Sequence, residues 1–150
     1  MTPSFDTRHS AAELSPGFLL WKVSNLHRAM QRRALAPLNL TPTEFSVLAC
    51  YGDLERRGRV TQSDVCAHAL LDKMVVSAAT RNLLAKGLLE RSSDASDRRA
   101  AVIALTRAGR TACNRALRII EPLDEAYFGA SGDSEMFSLQ LRNILAEASE

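Results

Sequence analysis

The stretch SSDASDRRAAVIALT, Ser92 to Thr106, constrains the fold more than any other part of the chain. Small and acidic residues lead to Asp97-Arg98-Arg99 and then to a short alternating apolar run, the pattern of a hairpin tip and its return strand. Elsewhere the apolar residues recur at helical spacing, so this hairpin has to project from a helical body. The expected class is mainly α with one small β-hairpin.

The helical part reads as six segments. From Ser15 to Ala36, Leu19, Val23, Leu26, Met30 and Ala34 form one apolar stripe, with Lys22, Arg28, Arg32 and Arg33 on the other side. A second helix begins near Pro42, where Thr41 and Glu44 form a capping box, and runs through Phe45, Leu48 and Tyr51 until Gly52 to Gly58 closes it. Thr61 and Asp64 repeat the box before a short third helix, Val65 to Leu70. Asp72 caps a fourth, Lys73 to Lys86, which Gly87 ends. Two short helices joined by about two residues make a helix-turn-helix. The strands Leu88 to Arg91 and Ala100 to Leu105 then form a wing. Thr106 caps a fifth helix carrying Leu117, Ile120 and Leu123, and a sixth starts near Asp133 with Phe137, Leu141, Ile144 and Leu145 on one face. Residues 1 to about 13 show no periodicity and read as a tail.

In the fourth helix Val76, Ala79, Leu83 and Leu84 are expected in the core, which leaves Lys73, Ser77, Thr80 and Arg81 outside, with Met74 next to Lys73 as a further candidate contact. A small, polar and cationic stripe suits the major groove of B-DNA, where Lys and Arg meet guanine and Ser and Thr meet several base edges. Any surface helix also has a polar face, so the neighbours decide. Arg98 and Arg99 at the hairpin tip, with Asp97 orienting Arg99, either enter the adjacent minor groove or decorate a solvated turn. Thr61, Gln62 and Ser63 at the start of the third helix supply donors for a phosphate. Charge agrees with an anionic partner: Met1 to Leu117 carries 17 Lys and Arg against 10 Asp and Glu, whereas the remainder carries 2 against 7.

No run approaches the roughly 18 apolar residues of a membrane span, and the N-terminus lacks a basic region followed by an apolar stretch, so the expectation is a cytoplasmic protein with no membrane partner. Cys50, Cys66 and Cys113 lie in helical apolar patterns and read as reduced, packed thiols. Cys113, near Arg110 and Arg115, is the one with the cationic neighbourhood that a reactive thiol needs. His9, His27 and His68 are scattered, and Cys66 with His68 has no second ligand pair for a metal. No phosphate loop, nucleophile elbow or paired carboxylates are visible, so no catalytic residue, metal or cofactor is expected, and no enzyme activity.

The runs LTPTEFSVL (Leu40 to Leu48), DKMVVSAATRNLLAKGLLER (Asp72 to Arg91) and DRRAAVIALTRAG (Asp97 to Gly109) resemble the MarR-type winged helix-turn-helix transcription regulators. The most specific part is Asp97 and Arg99 followed by a strand and then Leu105, Thr106 and Gly109; where related recognition helices often carry Arg after the serine, this chain has Ala78. The resemblance covers about residues 15 to 147. It implies one MarR-like domain, with a winged helix-turn-helix at about 41–106 and dimerisation helices at about 15–36 and 107–147. It further implies a homodimer on a near-palindromic DNA operator, acting as a repressor, and release by a small, often aromatic or phenolic, effector. Trp21, Asn25 and Arg28 with Phe45 and Leu48 are the candidates to line an effector cleft, although Trp and Phe at helical spacing are more often core than pocket. The alternative is a winged helix that docks an acidic protein and binds no specific DNA.

Overall fold

The computed structural model describes residues 6–92 and 101–147. Its helices are α1 (Pro16–Leu35), α2 (Pro42–Leu54), α3 (Gln62–Ala69), α4 (Lys73–Ala85), α5 (Arg107–Phe128) and α6 (Ser134–Glu147), and its strands are β1 (Leu89–Ser92) and β2 (Val102–Leu105). Helix starts follow their caps. The Ser15 hydroxyl accepts from the Phe18 N–H at 3.4 Å, and Thr41 and Glu44 form both bonds of a capping box, as do Thr61 and Asp64. Because Thr61 is itself the cap, α3 starts at Gln62, earlier than its apolar pattern implies. Asp72 accepts from the Met74 N–H at 2.7 Å, Thr106 from the Gly109 N–H at 2.9 Å and Asp133 from the Met136 N–H at 2.9 Å.

Helix α2 is the centre of the body, packed on α3, α4, α5 and β2. Val47, Leu48 and Tyr51 meet Val65 of α3, Val76 and Leu83 of α4, and Ile103 of β2 in one buried cluster. The strands pair antiparallel with Leu89 opposite Leu105 and Ser92 opposite Val102. The Ile103 N–H also donates to the Val60 carbonyl at 2.9 Å, which ties the hairpin to the segment before α3. The result is a winged helix-turn-helix, mainly helical with one two-stranded hairpin.

One expectation is refined and another corrected. The stretch Gly52 to Gly58 does close α2, but through its far end and not at Gly52: the helix continues to Leu54, a short 3-10 turn Glu55–Arg57 follows, and Gly58 at φ 142° ends it. A Cβ at Gly52 would stand 3.4 Å from Leu105 Cδ2, so this glycine permits close approach of β2. Thr80, however, is not outward. It is fully buried, and its hydroxyl shares a 3.1 Å hydrogen bond with the buried Tyr51 hydroxyl. One residue past Ala79 and four past Val76, it falls on the core face of α4. Burial pushes the Tyr51 phenol up, only partly offset by the Thr80 bond, so it stays neutral and needs its partner. Thr80→Val, which keeps the shape and removes the hydroxyl, is expected to cost about 1–3 kcal/mol in urea unfolding, the price of an unpaired buried group.

The long helices are less covered. On α1 only Leu35 is buried, and α6 buries no residue. Trp21 is 61% exposed and Ile144 66% exposed, with Leu20, Leu26, Met136 and Leu139 exposed as well. Helix α1 is held to α5 by His27 Nε2 and Asp124 Oδ1 at 2.6 Å and by the Tyr127 hydroxyl donating to the Val23 carbonyl at 3.1 Å. The rings of His27, Tyr127, Phe128 and Phe137 carry the contact on to α6.

Candidate nucleic-acid interface

Helix α4 is mounted by three devices. Leu70 ends α3 in the left-handed conformation at φ 51°, turning the chain between the two helices, and Asp72 caps the new one. Val76, Ala79, Thr80 and Leu83 bury its inner face. The third device ties its C-terminal end to the start of α2. Lys86 Nζ donates to Glu44 Oε2 at 2.7 Å and to the Asn39 carbonyl at 2.7 Å, and Asn82 Nδ2 donates to Glu44 Oε1 at 3.2 Å. Burial opposes the charge on Glu44, but bonds from Lys86, the Thr41 N–H and Asn82 outweigh it and hold the carboxyl below its ordinary value. Sequence reading found the Glu44 cap but not this cluster, because Glu44 and Lys86 are far apart in the chain.

With about 100° between successive helical residues, the positions opposite the buried face are Met74, Ala78, Arg81 and Ala85. All four are exposed, Met74 at 81%. Lys73 is exposed on the flank, and Ser77, half-buried, lies to the same side. No acidic residue occurs between Lys73 and Lys86.

At the start of α3, Gln62 is half-buried and Ser63 exposed. Thr61 is occupied: its hydroxyl and its N–H both donate to Asp64 Oδ2 at 2.7 Å. These bonds hold the Asp64 carboxyl below its ordinary value. The donors left for a phosphate are therefore those of Gln62 and Ser63, beside a carboxylate. Asp97, Arg98 and Arg99 lie outside the described residues. The root of their hairpin is well held, since Glu55 pairs with Arg110 and its Oε2 accepts from the Leu105 N–H at 3.3 Å.

The five effector candidates are not brought together. Trp21 and Asn25, with Leu19, Lys22, Val23, Leu26 and Tyr127, line a mostly apolar groove of about 450 Å³ along α1. Phe45 and Leu48 instead belong to the core, because α2 is packed on several sides, and Arg28 is exposed outside that groove's lining. A second groove of about 530 Å³ lies between α2, β2 and α5, with Arg56, Arg110 and Asn114 among its polar residues. Cys113 is buried, and burial pushes its thiol up; burial and then the Asp53 charge do the same to the half-buried Cys50. Cys113 is thus packed, as its helical apolar pattern suggested, and lacks the exposure that a reactive thiol needs besides cationic neighbours. No helix of the described residues is long and apolar enough to cross a membrane.

A family model described as the MarR family matches residues 38–100. The uncharacterized HTH-type transcriptional regulator YdcH of Bacillus subtilis is 33% identical over 140 residues, 93% of this chain and 95% of that protein. The chain belongs to the MarR family of transcriptional regulators. Among MarR-family structures, CouR from Rhodococcus jostii RHA1 bound to p-coumaroyl-CoA aligns with a TM-score of 0.77 at 30% identity, over 91% of this chain and 93% of that one. The DNA complex of S. aureus MepR aligns with a TM-score of 0.77 over 92% of this chain and 99% of that one; at 21% identity this is a likeness of fold. The MarR family comprises transcriptional regulators, not enzymes, and α3, α4 and the β1–β2 hairpin are this chain's helix-turn-helix and wing.

Proposed function

We propose that this regulator binds a near-palindromic operator as a homodimer, as a repressor, with α4 in the major groove and the wing, with Asp97, Arg98 and Arg99, at the minor groove. The observation that carries the reading is the outward face of α4, exposed and free of acids, with Arg81 on it and Lys73 at its flank, on a helix locked at both ends. The DNA complex of MepR supports the same use of the fold. Two winged bodies at about 41–106 would be joined by the α1, α5 and α6 segments, whose uncovered apolar residues support pairing with a second copy. A small aromatic effector would enter the α1 groove, where the Trp21 ring, the Asn25 amide and the Lys22 ammonium suit an aromatic acid. CouR, with p-coumaroyl-CoA, supports effector binding in a relative of this fold.

The test is selection of duplexes from a random pool, followed by affinity measured across salt. Two copies of one half-site, about one helical turn apart, are expected, with affinity falling steeply as salt rises. Recovery of no preferred sequence would favour the protein-docking alternative. In the same assay Arg81→Ala, two turns into α4, is expected to weaken all duplexes nearly equally and to lower the salt slope by about one unit. A loss confined to one base pair would reassign Arg81 to base reading.

A further inference from the structure

The outward face of α4 is not made of hydrogen-bonding side chains alone: apolar ones stand on it beside Arg81. Met74, 81% exposed, stands at the leading end of the helix, and Ala78 follows it one turn later. Val75 beside it is 41% exposed, and Leu70 in the preceding turn is 76% exposed. Leu70 also holds φ 51°, which costs an L-residue with a Cβ, so an exposed apolar side chain is kept in a strained turn. Ser77 is half-buried and Lys73 lies to the flank, so neither leads the helix into a groove.

From this arrangement, and resting on the DNA-binding reading above, we infer that Met74 reads thymine C5-methyl groups in the major groove, with Ala78 allowing the close approach. The charges favour DNA: Lys73 and Arg81 stand to either side of Met74 along the helix, and the neighbouring carboxylate, Asp72, is engaged by the Met74 N–H, which suits a phosphate-lined groove better than an apolar protein surface. Within the major groove the thymine methyl is the apolar group that base edges offer. A flexible, polarizable thioether adapts to it, whereas it offers little to a guanine edge. The Met74 N–H is held by Asp72 at 2.7 Å, so the backbone that carries this side chain is set before DNA arrives.

The experiment uses the intact protein and its selected operator, with single thymines replaced by deoxyuridine, which removes the methyl and keeps the base pair. One or two positions per half-site are expected to lose about fourfold in affinity, the effect of withdrawing one methyl from apolar contact. Met74→Ala is expected to bind the thymine operator correspondingly less well and to respond equally to thymine and uracil at those positions. Equal binding of both operators by the unaltered protein overturns the inference, as does undiminished uracil sensitivity in Met74→Ala. If no preferred duplex is recovered at all, the DNA-binding reading fails first and takes this inference with it.

Discussion

Gly109→Ala is expected to destabilise the protein by about 3 kcal/mol, read as a lower urea midpoint, against an ordinary gain of about 1 kcal/mol for replacing a helical glycine by alanine. The reason for the reversal is steric. A Cβ at Gly109 would lie 1.9 Å from the Leu88 carbonyl oxygen, a backbone atom that cannot turn aside. Relief requires α5 to move away from the base of the wing. That movement would break the Thr106 N–H bond to the same carbonyl at 3.1 Å and the Thr106 hydroxyl bond to the Gly87 carbonyl at 2.7 Å. Gly129→Ala is the matched control: its φ is −58° and nothing lies within 4 Å of its Cβ position, so a stabilisation of a few tenths to about 1 kcal/mol is expected. Equal effects at the two glycines would show that the Leu88 contact does not constrain α5.

The second large effect is expected at Glu44. Glu44→Ala removes the acceptor for Lys86 and Asn82 and half of the α2 capping box. Because Lys86 keeps some access to water, the cost is expected at about 2–3 kcal/mol, below the roughly 3–5 kcal/mol of breaking a fully buried pair. The pH dependence separates charge from shape. A carboxyl whose folded pKa is depressed contributes stability that is complete above its unfolded pKa and is lost as the pH falls through the folded value. The stability gap between the unaltered protein and Glu44→Gln should therefore be full at neutral pH and shrink as the pH drops below about 4. A gap independent of pH would assign Glu44 a purely geometric role. Since the cluster holds the C-terminal end of α4, operator affinity in Glu44→Gln is expected to fall more than its stability alone explains.

Much of this was legible because it is local. Caps act within four residues, and the Thr41–Glu44 and Thr61–Asp64 boxes, Asp72 and Thr106 announced four helix starts that the fold keeps. The wing followed from a glycine, a turn and an alternating strand, all contiguous. The motif Leu105-Thr106-x-x-Gly109 was visible as a resemblance, but the contact that explains it joins Gly109 to Leu88, residues separated by the whole hairpin.

Which way each side chain faces was decided only in three dimensions. Thr80, four residues past Val76, falls on the core face, but a hydroxyl there reads as outward until a partner is known; the Tyr51 hydroxyl of α2 is that partner. The rotation that buries Thr80 brings Met74 and Ala78 to the front of α4 and turns Ser77 aside. Phe45 and Leu48 looked able to wall a cleft, yet α2 is surrounded and they became core. By itself, then, the sequence determined the elements, their order and the basic helix-turn-helix, since these rest on short-range hydrogen bonds and hydrophobic spacing. Tertiary packing decided the rotation of α4 and its lock through Glu44 and Lys86, because both depend on contacts between residues that no local rule relates.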